Sequence, residues 1–169
     1  SNQLVGNGLT IPSGPLRQKL NTIRKNDILI INGDRKIKFE KKIKIISKKI
    51  KIFYTEYKPI DIKKFKKKRY LVFAGIGNPI NFYKILKKNR INVVKRISFP
   101  DHYEYSKYEI KEIIKKAKKD NLDIMTTEKD YFRIKHFRFN NINIFKVKLF
   151  IKKENEFKNI LESFLWLNG

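Results

Sequence analysis

The stretch Arg69 to Lys88, RYLVFAGIGNPINFYKILKK, carries the reading of the fold. Tyr70 to Ala74 is a short apolar run, the mark of a strand buried on both faces. Gly75-Ile76-Gly77-Asn78-Pro79 breaks it with a tight turn. Residues 79–89 then resume as a helix with Phe82, Ile85 and Leu86 on one face. The same rhythm continues downstream. Asn92 to Ser98 reads as a strand, with FPDHYEY (99–105) as its loop. Ser106 opens a helix to Lys119, with Glu109 three residues on, a capping box. Leu122 to Met125 is a strand, and Thr126-Thr127-Glu128-Lys129-Asp130 opens a helix at its end. Residues 142–149 read as a last strand and 153–165 as a last helix. Strands alternating with helices of this length mean βαβ units and a parallel sheet, an α/β fold.

Upstream the rhythm is weaker. DILIIN (27–32) reads as a buried strand. GNGLTIPSGPLRQKL (6–20) reads as a Gly- and Pro-rich loop entering a short helix, with Ser13 as its cap and Pro15 in its first turn. Lys alternates with Ile in places, which predicts two exposed strands around 43–46 and 50–57. Pro59 and the run Lys63–Lys68 then read as a linker or hinge.

The bulk numbers bound the function. A chain of 169 residues fits one domain, or two small ones. Hydrophobic content of 41% excludes a disordered chain. The absence of Cys excludes a disulfide scaffold and any Cys-ligated metal site. No apolar run is long enough to make a transmembrane helix. The opening SNQLVGNG has neither the basic nor the apolar region of a signal peptide. Opening on Ser1 and passing straight into Gly-rich text, the chain reads as a piece of something longer.

The net charge of +25 has two readings. One is attraction to nucleic acid or to an anionic membrane. The other is coding bias: 33 Lys stand against 8 Arg, with 27 Ile, 16 Asn and 2 Ala. Lys, Ile and Asn are residues of A/T-rich codons. Readers of base edges also favour the bidentate fork of Arg, which is scarce here.

Ligands of open parallel sheets bind beyond the carboxyl ends of the strands. Three loops leave such ends: GIGNP (75–79), FPDHYEY and TTEKD (126–130). GIGNP reads either as a phosphate cradle or as a turn with positive φ at Gly and Pro79 at the first helical position. Asp101 beside His102 either orients a tautomer for proton transfer or forms a hydrogen bond within the loop. In TTEKD, Thr caps the helix and the acids suit the positive end of its dipole; phosphate binding there is the alternative. Arg17 either clamps a phosphate or carboxylate or is a surface residue. His136, in a basic stretch, reads as incidental. No Ser-His-Asp order, no His-x-x-x-His spacing and no Walker-type P-loop occurs, so a chain like this transferring phosphate lacks its main phosphate-holding loop.

Four strings in order, GNGLTIPSGPLRQ at 6–18, FAGIGNPINFYKIL at 73–86, SFPDHYEYS at 98–106 and MTTEKDYFRI at 125–134, resemble the tetraacyldisaccharide 4'-kinases of lipid A synthesis. The resemblance implies the parallel-sheet βαβ lobe of a P-loop NTPase-like kinase, preceded by a short strand hinge. Residues 1–42 would end the nucleotide-binding core lobe, 43–68 would be hinge and linker, and 69–169 the carboxy-terminal α/β lobe. It implies transfer of the ATP γ-phosphate, with magnesium, to the 4' hydroxyl of the tetraacyldisaccharide-1-phosphate lipid A precursor. The place would be the cytoplasmic face of the bacterial inner membrane, with an anionic membrane surface as partner and the full-length form a peripheral monomer. His102, with Asp101 beside it, would support a base carboxylate in the family's amino-terminal half. Arg17 would lie near the nucleotide; the residue after it is usually Glu in the family and is Gln18 here, which removes a charge. Gly75, Gly77, Asn78, Thr127, Glu128, Lys129 and Asp130 carry over as signature loops, structural or supporting. The family's membrane anchor, Walker A loop, catalytic Asp and magnesium ligands match nothing in these residues, so no metal site is expected and the isolated chain would be inactive. The competing expectation is a basic α/β module that binds nucleic acid without catalysis, although no nucleic-acid motif is present.

Overall fold

The structure, a computed structural model, describes Gly6, residues 9–13 and residues 15–166, with only the backbone of Leu165 and Trp166. Asn7, Gly8 and Gly14 of the first Gly-rich string lie outside the described residues. The chain divides into two compact units, Ser1–Glu56 with Leu149–Gly169, and Tyr57–Lys148.

The first unit holds a sheet of order β1-β2-β7: Ile28–Asn32 (β1), Lys51–Pro59 (β2) and Val147–Ile151 (β7). β1 and β2 are parallel, from Ile28 opposite Lys51 to Asn32 opposite Thr55. A helix, Ile37–Ile46 (α1), makes the crossover between them. Residues 43–46 are therefore helix, not the strand that the Lys–Ile alternation predicts. Phe39, Ile43, Ile46 and Ile50 recur at spacings of three and four, and Ile43 and Ile50 are fully buried while Ile45 is 83% exposed. The chain leaves β1 through Gly33, whose φ of 115° suits glycine; its N–H donates to Thr55 O at 2.9 Å. The last helix, Glu154–Trp166 (α5), sets Phe157 edge-on to Phe53, ring centroids 5.1 Å apart. The expected short helix near residue 15 is instead a 3-10 helix at Leu20–Lys25, without a side-chain cap.

The second unit is a four-stranded parallel sheet, order β4-β3-β5-β6: Arg69–Ala74 (β3), Asn92–Ser98 (β4), Asp123–Thr127 (β5) and Ile142–Phe145 (β6). Its helices are Pro79–Lys88 (α2), Lys107–Lys119 (α3) and Glu128–Ile134 (α4). This is the α/β parallel sheet read from the sequence. Alternate residues of β3 feed opposite faces. Leu71 and Phe73 join Ile110, Ile113 and Ala117 of α3; Tyr70, Val72 and Ala74 join Phe82 and Leu86 of α2. Two differences from the sequence reading stand out. The single strand expected at 142–149 is two strands, β6 and β7, which belong to different sheets and are separated only by Lys146. The supposed linker contains a 3-10 helix, Ile62–Phe65, that seats Phe65 in the α2-side core at 1% exposure.

Candidate functional site at the carboxyl edge of the second sheet

The strand order makes β3 and β5 neighbours whose following helices, α2 and α4, begin at Pro79 of GIGNP and at Glu128 of TTEKD. The chain steps from β4 across β3 to reach β5, which is the topological switch where sheets of this class bind ligands. FPDHYEY, leaving β4, comes over the same edge: Phe99 N–H donates to Ala74 O at the end of β3, 2.8 Å. The structure thus gathers all three loops.

Aromatic packing and the helix cap fix FPDHYEY. Phe99, Tyr103 and Tyr105 pack against one another with centroids 4.7 to 5.3 Å apart, and Tyr105 meets Phe73 edge-on. Glu109 closes the capping box of α3, accepting from Ser106 N–H and Oγ at 2.8 Å each, and it also accepts from the Tyr103 hydroxyl. Between these anchors Asp101 and His102 form the exposed tip. His102 sits in the left-handed region at φ 60°, and its N–H donates to Asp101 Oδ1 at 2.9 Å. His102 Nε2 lies 3.9 Å from Asp101 Oδ2, and Lys129 Nζ lies 3.6 Å from Asp101 Oδ1. Desolvation pulls the Asp101 pKa up, but the His102 amide and the Lys129 charge outweigh it, and the net shift is down.

The glycines of GIGNP are there for close approach. Neither has positive φ, contrary to the turn expected; among the described glycines only Gly6 and Gly33 do. A Cβ on Gly75 would sit 2.7 Å from the Tyr105 hydroxyl and 3.2 Å from Pro100 O; one on Gly77 would sit 2.7 Å from Asp101 Oδ2. Asn78 caps α2, accepting from Asn81 N–H at 3.0 Å, with Pro79 at the first helical position.

TTEKD caps α4 as expected: Thr127 Oγ accepts from Asp130 N–H at 3.1 Å. Glu128 pairs with Lys146 at 3.4 Å. Asp130, however, is fully buried. It accepts from Thr127 Oγ at 2.6 Å, from the Tyr105 hydroxyl at 3.1 Å and from Arg133 Nη1 at 3.1 Å. Burial, then the Asp130 charge, pushes the Tyr105 pKa up and keeps its phenol a neutral donor. Tyr105 and Arg133 are site residues that the sequence reading did not single out. The available signal was Arg three residues after Asp, a helical neighbour spacing.

Arg17 and Gln18 belong to the first unit, where they line an open groove of about 410 Å³ with Leu16, Leu29, Ile31 and Phe39. Among the described residues no group of three His, Asp or Glu could hold a metal ion.

A profile of the family described as "LpxK: Tetraacyldisaccharide-1-P 4'-kinase" matches residues 1–165. The tetraacyldisaccharide 4'-kinase of Pelagibacter ubique is 42% identical over 97% of this chain and 52% of its own length. That of Bartonella quintana is 34% identical over 93% of this chain and 47% of its own length. The chain thus spans about half the length of these relatives. The crystal structure of an "apo" form of LpxK from Aquifex aeolicus in complex with ATP superimposes with a TM-score of 0.62 at 23% identity, over 93% of this chain and 48% of that one, a likeness of fold. By that match over residues 1–165 and by the identity to these relatives, the chain belongs to the tetraacyldisaccharide-1-P 4'-kinase family.

Proposed function

We propose that this chain is the carboxy-terminal portion of a kinase that transfers the ATP γ-phosphate to the 4' hydroxyl of a tetraacyldisaccharide-1-phosphate lipid A precursor. The observation that carries the reading is the exposed Asp101–His102 tip, set over the sheet's switch point beside Gly77, Lys129 and Arg133. Phosphoryl transfer is mostly positioning and charge stabilisation, so its parts can come from two lobes. His102 orients the carboxylate that takes the hydroxyl proton as the oxygen bonds to phosphorus and ADP leaves. Asp101, held by Lys129, shapes the loop around His102. Arg17 and Gln18 lie near the nucleotide. The phosphate-holding loop, the base carboxylate and the magnesium ligands come from the rest of a full-length protein about the size of the relatives; the residues described here offer magnesium no ligand set. The chain by itself transfers no phosphate. In this reading residues 1–42 end the core lobe, 43–68 are hinge and linker and the second lobe starts at 69, although the compact units set Leu149–Gly169 with the first unit instead of the second. The full-length protein works as a monomer on the cytoplasmic face of the inner membrane, at an anionic surface. No described helix is long and apolar enough to cross a membrane.

Complementation tests this. The full-length protein is expressed in cells depleted of their own lipid A 4'-kinase, with His102 intact and as His102→Ala. Rescue by the intact form and none by a stably folded His102→Ala is the expected result, with a loss on the 10²–10⁴-fold scale of general acid–base groups. Equal rescue by both would remove His102 from the chemistry, and failure of the intact form would remove the kinase reading.

A further inference from the structure

Arg133 ties the three loops together. Its Nη1 donates to Gly75 O at the end of β3 at 2.8 Å and to Asp130 Oδ1 at 3.1 Å, while its Nη2 lies 3.5 Å from His102 Nδ1. The Arg133 side chain is 21% exposed, and the Asp130 carboxylate that anchors it is fully buried. Asp130 is itself held by Tyr105 and Thr127. The guanidinium is therefore fixed before any ligand arrives.

A guanidinium carries five N–H donors in a rigid plane, has no acceptor and stays charged. A ring nitrogen facing it must present a lone pair. A neutral imidazole has one N–H and one lone pair, so a lone pair at Nδ1 puts the proton on Nε2. The other charged neighbours of the ring favour the same arrangement. Asp101 Oδ2, on the His102 loop, is 3.9 Å from Nε2, and Lys129, from α4, is engaged with Asp101 Oδ1. In the opposite tautomer an N–H would face the guanidinium and a lone pair would face the carboxylate, a mismatch on both sides. We infer that Arg133 is a positioning residue that fixes the Nε2–H tautomer of His102. The 3.5 Å separation is at the long end of the hydrogen-bonding range, as befits an open site whose contacts tighten on ligand binding. At 3.9 Å Asp101 Oδ2 is too far to take a hydrogen bond from Nε2–H, which leaves that N–H for a nearer acceptor; its use in phosphoryl transfer rests on the function proposed above, whereas the tautomer does not.

Nitrogen NMR of the full-length protein, labelled with ¹⁵N-histidine, reads the tautomer directly. A His102→Gln spectrum assigns the resonances. The expected native result is Nε2–H as the dominant neutral form. Arg133→Lys keeps a cation for Asp130 and loses the fork. In it the Nδ1–H share should rise about tenfold, the scale of one charge-assisted hydrogen bond. Arg133→Gln is read in the same way if the lysine variant does not fold. A dominant Nδ1–H form in the native protein, or an unchanged ratio in a folded variant, overturns the inference. Loss of kinase activity in the unmodified full-length protein would sink the functional reading and leave the tautomer result standing, so the two failures are distinct.

Discussion

An alanine Cβ at Gly75 would lie 2.7 Å from the Tyr105 hydroxyl, and that oxygen cannot retreat because it is bonded to the buried Asp130. Overpacking of this kind costs about 1–3 kcal/mol. At Gly77 the obstructing atom is Oδ2 of Asp101, the end of an exposed side chain with room to turn away. Gly75→Ala is therefore expected to lower the urea midpoint clearly. Gly77→Ala should leave stability within about 0.5 kcal/mol yet lower the activity of the full-length protein, because it displaces Asp101 from beside His102. Urea titration of both variants, with a kinase assay, checks the pair; equal destabilisation would show that the turn, and not its neighbours, demands glycine. The sequence located these residues at one edge because the rule for parallel sheets needs only the strand direction that βαβ alternation implies. It could not reveal why they are there. Thr127 and Asp130 are explained locally as a cap, and Arg133 reads locally as a surface partner of Asp130. Their burial, and the reach of Arg133 to Gly75 and His102, are properties of the assembled sheet.

At the scale of elements, α1 shows how a Lys-rich sequence misleads. With Lys at most of the positions that are not buried, the same residues fit a period of two over a few positions and a period of 3.6 over more. The helix places Ile43 inside and Ile45 outside, whereas a strand would put both on one face. Ile43→Ala is expected to cost about 2–5 kcal/mol and Ile45→Ala less than about 0.5 kcal/mol; similar costs for the two would contradict the helix. The switch from β6 to β7 was equally hidden, because Lys146 carries no turn signal and only long-range pairing assigns the two strands to different sheets. The capping box of α3, by contrast, was legible, being encoded within four residues. Its Glu109 carboxyl has a lowered pKa, chiefly from the Tyr103 hydroxyl and then from Ser106. A carboxyl depressed in the folded state stabilises it above the unfolded pKa, about 4.3, and loses that contribution as pH falls through the folded value. Wild type is therefore expected to exceed Glu109→Gln in stability at pH 7, and the gap should close below about pH 4. A gap that persists at low pH would assign the effect to packing instead.

For the whole molecule the governing quantity is charge. Forty-one basic side chains face 16 acidic ones, so 25 cations have no acid to match them. The ion pairs that do form, such as Lys115–Glu112 and Lys158–Glu154, are exposed and contribute little to stability. Composition exposed this excess at once but could not say what it faces, since coding bias and an anionic partner leave the same residues. The chemistry of the cation separates the partners. Base readout draws on the fork of Arg, whereas a lipid phosphate needs only a point charge, and the excess here is Lys. Each Lys close to an anionic bilayer contributes about 1 kcal/mol within a Debye length. The chain is therefore expected to co-sediment with phosphatidylglycerol vesicles and not with neutral ones, and to keep part of that binding at about 0.15 M salt. Duplex DNA, offering no headgroup layer to spread the contacts over, should be released at the same salt, with a steep dependence of affinity on salt concentration. Parallel titrations of vesicles and DNA decide between the partners. Tighter, salt-resistant binding to DNA would favour the nucleic-acid module, and release from both at about 0.15 M salt would leave the charge as a product of coding bias.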